Sequence, residues 1–258
     1  MFAGNSATQT KRALWQRQSL QKSKTATIKA AIWILTSDDK PAPNSAETLS
    51  NLQDKHPQPA AYTHIRPDDN QHKPLQVTKA DIFQAIRCFP AGSSGGPDGL
   101  RPQHILEHAT CKEIGTNLGS SVTAFTNLLL EGKCHDEVTP IIFGGSLIAL
   151  TRKSGGIHPI AIGYAWRRIA AKCANTYAVA KLADYFGPIE LGVGVPDGCE
   201  AAVHATRRFA EHNPDDQVIV KLDLTNAFNS LYRYAMLEAI SARVSAIYNF
   251  CHLGYNQP

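Results

Sequence analysis

Two groups of side chains in this sequence have the types and spacing for chemistry. Asp223 stands at the end of the β-branched and aliphatic run 218–222, which reads as a buried strand presenting one carboxylate at its far end. Upstream, Arg152, Lys153 and His158 crowd the tip and neck of a predicted hairpin. A carboxylate suits magnesium, which prefers oxygen ligands, and lysine and arginine neutralise phosphate, so the two groups together suit phosphoryl transfer. Two-metal chemistry of that kind needs more than one carboxylate. Asp215 and Asp216 lie at the other end of the same run, roughly 20 Å away along an extended chain, too far to share a metal with Asp223. From the residues alone, a capping or salt-bridged side chain is the commoner fate of a lone Asp at a strand end.

The elements that must position these groups follow from periodicity and punctuation. Thr225 or Asn226 can cap a helix over about 228–240, directly after the Asp223 strand. The hairpin is a strand over 146–151, a turn over 153–156 with two glycines, and a return strand over 157–162. A helix over 164–186 follows, with Trp166, Ile169, Ala170, Cys173, Tyr177, Ala180 and Leu182 mostly inward and Arg167, Arg168 and Lys172 on its solvent side. Next come a short glycine-broken strand over 189–195, a helix over 198–212 and a turn over 213–216. Ahead of the hairpin, 78–81 is a variant capping box that opens a helix ended by Pro90, with Ile82, Phe83, Ile86 and Phe89 on its apolar face. The glycine-rich stretch 91–100 allows positive φ and close approach of the backbone to something else. It lacks the ending of a P-loop and no strand precedes it, which argues against a nucleotide cradle of that type. Helices over 102–108 and 113–130 follow, the second with Leu118, Val122, Phe125 and Leu129 on one stripe. The pattern is an α+β fold.

Composition bounds the rest. The chain has 258 residues, 43% of them hydrophobic and 19% charged, enough apolar content for a real core. The net charge of +4 is modest, but residues 1–37 and 138–183 each hold six basic residues and no acid. Such blocks suggest contact with phosphate, and the first reads equally as a solvated face. Residues 1–25 read as a poorly ordered basic tail, 26–35 as a possible short helix, and 37–76 as an extended, proline-rich linker, which puts a connector at 1–75 and a folded domain at 76–258. Six scattered cysteines indicate neither a zinc site nor a disulfide-linked partner. No apolar run approaches a membrane span and no signal peptide is visible, so the expected setting is intracellular, in cytoplasm or nucleus.

Four stretches also carry a resemblance. The segment 218–231, with Asp223 followed five residues later by the aromatic Phe228, resembles the first catalytic motif of reverse transcriptases from non-LTR (LINE-type) retrotransposons. Gly-Gly-Pro-Asp-Gly-Leu-Arg at 95–101 resembles their N-terminal motif, 151–163 their fingers hairpin, and 192–201 the template- and nucleotide-facing segment before the first catalytic motif. All four occur in the family's order. The resemblance implies a partial right-hand polymerase over 76–258, the fingers plus the first part of the palm, behind an irregular connector. It implies RNA-directed DNA synthesis from deoxynucleoside triphosphates on an RNA template with a DNA primer, and Mg2+ as cofactor. Asp223 and the Leu224 carbonyl would hold that metal. Lys153, His158 and Phe228 would meet the incoming nucleotide, Phe228 as the gate against a ribose 2′-hydroxyl. Arg152, Arg167, Arg168, Lys172, Gly194, Pro196 and Gly198 would face nucleic acid. His158 departs from the family's usual arginine. The family's second motif, a pair of adjacent aspartates, is absent after Asp223, since the pairs at 38–39, 68–69 and 215–216 all lie upstream. The expectation is therefore an N-terminal piece of such an enzyme, inactive by itself. The other readings are a nucleic-acid-binding remnant or an inert truncation product whose 218–222 strand lacks neighbours.

Overall fold

The computed structural model describes residues 40–56, 73–90, 92–110, 115–151, 155–187, 189–212, 217–224, 227 and 229–255. In chain order the elements are β1 (Lys40–Pro41), α1 (Ala46–Asp54), α2 (Lys79–Arg87), α3 (Pro102–Ala109), α4 (Gly115–Leu130), α5 (Thr139–Phe143), β2 (Gly145–Thr151), β3 (Ile157–Gly163), α6 (Ala165–Phe186), α7 (Gly198–His212), α8 (Arg233–Arg243), a 3-10 turn (Ser245–Ile247) and α9 (Tyr248–Tyr255). The fold is mixed α+β, as the pattern of periodicities predicts. The possible helix over 26–35 lies outside the described residues.

The described residues divide into two compact units. The first takes those up to Asp54 with Lys79–Val122 and Ile141–Ile169, and the second takes the remainder. In the first, one antiparallel sheet has the order β1-β2-β3. β2 and β3 pair from Gly145 opposite Gly163 to Thr151 opposite Ile157, so the hairpin matches its expected bounds to within a residue. β1 adds Lys40 opposite Thr151 and Pro41 opposite Leu150, a position on the sheet edge where proline's missing donor is tolerated. The adjoining helices bury Ile82, Ala85 and Ile86 of α2, Pro102 and Ile105 of α3, and Val122 of α4. Burying a side chain such as Ile82, Ile86, Ile105 or Val122 contributes about 1.5–3 kcal/mol relative to exposure.

The second unit is stitched by its loops. Residues 75–77 run as an extended strap whose Leu75 N–H donates to the Ala246 carbonyl at 2.8 Å. The Asn127 side chain then treats Val77 as a strand would, accepting its N–H at 2.8 Å and donating to its carbonyl at 3.0 Å. α4 ends in a Schellman turn at Gly132, φ 72°, with the Gly132 N–H bonded to Leu129 and the Lys133 N–H to Leu128. Leu129, Leu130, Leu237 and Tyr248 are fully buried in this unit. Beside them Glu131 accepts from Lys133 and from Gln76, and these two bonds hold its carboxyl below the usual glutamate range.

Four local expectations are corrected. The segment 37–76, read as an extended linker, carries α1, whose start Ser45 fixes by accepting the Thr48 N–H on its hydroxyl. Residues 189–195, read as a short strand, form turns instead, because two glycines and the 187–190 bonds back to α6 keep the backbone from extending. Residues 218–222, read as a buried strand, are unpaired and exposed, because no strand among the described residues lies beside them. The following helix starts at Arg233 rather than near 228, so it no longer abuts Asp223.

Cysteine chemistry follows from this packing. Cys88, Cys134, Cys173, Cys199 and Cys251 are free thiols. Cys88 and Cys199 are exposed and Cys173 is buried, while burial pushes the Cys251 thiol up to about 11. Only thiolate alkylates, so at about pH 8 iodoacetamide should modify Cys88 and Cys199 first and leave Cys173 and Cys251 intact until the fold opens. Peptide mapping over time checks the order, and early labelling of Cys251 would contradict the packing described for α9.

Candidate functional site

The first unit brings two of the sequence-marked stretches together at backbone level. Ser93 folds the glycine-rich loop back on α2, its N–H and hydroxyl both donating to the Pro90 carbonyl, at 3.0 and 2.7 Å. Gly99 takes a φ of 73° and donates to the Gly96 carbonyl at 2.9 Å, closing a tight turn, and the Asp98 carboxylate accepts the Leu100 N–H. Gly96 sits where a Cβ would lie 2.7 Å from the Tyr164 Cα and 3.0 Å from the Gly163 carbonyl oxygen. The close approach that the glycines permit is therefore an approach to the end of β3 and the start of α6.

Arg167 and Arg168 reinforce that junction. Both are half-buried rather than turned wholly to solvent. Arg167 Nη1 donates to the Phe143 carbonyl at 2.6 Å, and Arg168 Nη1 donates to the Ser94 carbonyl at 2.6 Å. The Arg168 guanidinium also lies 5.1 Å from the Phe89 ring centroid, a cation–π distance. Burial, and after it the neighbouring Arg167 charge, lowers the Arg168 pKa from its ordinary value, with the group still cationic at neutral pH. Between the loop 92–94, residues 160–162 of β3 and Arg168 lies an open cavity of about 360 Å³. Sequence reasoning assigns these arginines to a solvent face because a helix periodicity does not reveal which backbone carbonyls lack partners.

The remaining marked residues are dispersed. His158 is exposed on β3, and Lys172 is half-buried on α6. Arg152, Lys153 and Phe228 lie outside the described residues, while Gly155 and Gly156 complete the hairpin turn with φ of 81° and 83°. In the second unit, Gly194 has φ 72° and would place a Cβ against the Val179 side chain. Pro196 is exposed, and Asp197, at φ 54°, leads into α7. Gly198 is buried at the first position of α7, with no room for a Cβ against the Leu191 carbonyl. These glycines are required by the local packing whatever else they do.

Asp223 is exposed, on a run in which Val218, Val220, Leu222 and Leu224 are 83%, 69%, 82% and 73% accessible. Among the described residues no group of three or more His, Cys, Asp or Glu side chains could hold a metal ion. One carboxylate with the Leu224 carbonyl falls short of the octahedral oxygen shell that magnesium demands, so these residues by themselves do not fit a resident Mg2+. Also among the described residues, no helix is long and apolar enough to cross a membrane. No family model, curated protein or solved structure matches this chain.

Proposed function

We propose that the chain is a nucleic-acid-binding part of a reverse transcriptase of the non-LTR type, comprising fingers and the first part of a palm. The observation that carries this reading is the order of four family-like stretches along one chain, at 95–101, 151–163, 192–201 and 218–231. Its physical support is the seating of the first on the base of the second, Gly96 against Gly163 and Tyr164, with Arg168 tying the loop to α6. That seating would hold β2 and β3 on a fixed base, and the basic residues that the sequence puts between them, Arg152 and Lys153, suit the phosphates of a template or an incoming deoxynucleoside triphosphate. Asp223 would contribute one ligand to a Mg2+ site, and no pair of adjacent aspartates follows it in this sequence. The chain by itself then binds RNA and RNA–DNA hybrids without extending a primer.

The test pairs binding with catalysis. A fluorescent RNA and a primer–template hybrid should bind with affinity that falls steeply as salt rises, because released counterions drive the association. Replacing Arg152 and Lys153 with alanine should weaken binding and flatten the salt slope by about one to two. Asp223→Ala should leave binding unchanged. Absence of salt-dependent binding would sink the nucleic-acid reading. Primer extension that Asp223→Ala abolishes would instead show that the chain completes the catalytic site unaided. A non-catalytic remnant is the second reading, favoured by the exposed placement of Asp223, and it differs by failing to show extension when a palm segment carrying an adjacent aspartate pair is supplied as a separate polypeptide.

A further inference from the structure

We draw no further inference here: the strongest candidate, the open cavity between the loop 92–94, residues 160–162 of β3 and the Arg168 guanidinium, belongs to the site already described, where a bound phosphate would only restate the nucleic-acid contact that the resemblance implies for Arg168.

Discussion

Gly96→Val is expected to destabilise the first unit by about 3 kcal/mol, the upper part of the usual range for forcing atoms into a packed site. Three backbone atoms, the Tyr164 Cα and N and the Gly163 carbonyl oxygen, stand within 3.0 Å of where its Cβ would be. Backbone cannot rotate away as a flexible side chain can. The loop must therefore lift off the β3–α6 junction, and the Arg168 bond to the Ser94 carbonyl stretches with it. That bond is exposed and water can replace the lost acceptor, so its loss adds no more than about 0.5–1.5 kcal/mol. The reading is a lowered midpoint in urea together with faster proteolytic cutting in 92–101. Gly99→Ala is the informative contrast. Gly99 has open space around its Cβ but a φ of 73°, so alanine there meets only the left-handed backbone penalty, about 1 kcal/mol. If the two variants melt alike, the loop is not seated on the junction as described.

Where sequence reasoning succeeded and failed follows from how local each determinant is. The hairpin is legible because two β runs and a double-glycine turn are neighbours in sequence, and its strands came within a residue of the observed bounds. The helix beginning at Gly198 is legible because the glycine and the aliphatic spacing that follows it are contiguous. α1 was hidden by the prolines around it, although Ser45 three residues before Thr48 is a capping signal that composition alone outweighed. The 218–222 run failed for the opposite reason. Its valines and isoleucine report fitness for a pleated, half-covered surface, and that surface has to be provided by another strand. Local propensity states what a segment can do with a neighbour and not whether one is present.

The candidate site divides along the same line. That glycine at 95–96 allows close approach was readable, whereas the identity of the approached backbone needed the tertiary structure. Arg167 and Arg168 are basic, helical and adjacent, and those features suit a phosphate-facing surface. The structure adds that each spends a guanidinium arm on a backbone carbonyl of its own unit. Alanine at either position would therefore lower stability and charge together, and a loss of RNA binding there would not by itself identify a contact. The binding test therefore rests on Arg152 and Lys153, which the sequence puts in the turn of the hairpin.

Leu129→Ala should cost the second unit about 2–5 kcal/mol, the largest effect of any single truncation proposed for it. Leu129 has no accessible surface, and it precedes the Schellman turn in which its carbonyl accepts the Gly132 N–H. Removing the isobutyl group forfeits its transfer energy and leaves a void that α4 cannot close, because the turn and the Asn127 clamp on Val77 hold the helix in place from both sides. Leu128, its neighbour, is 41% exposed, so Leu128→Ala should cost less than about 1 kcal/mol. Both changes delete the same atoms from adjacent positions with equal helix propensity, so the difference isolates burial. Urea titrations followed by circular dichroism would separate the midpoints of the two variants. Coincident midpoints would mean that α4 presents another face to the core, and with it the register of Val77 against Asn127 would have to be wrong.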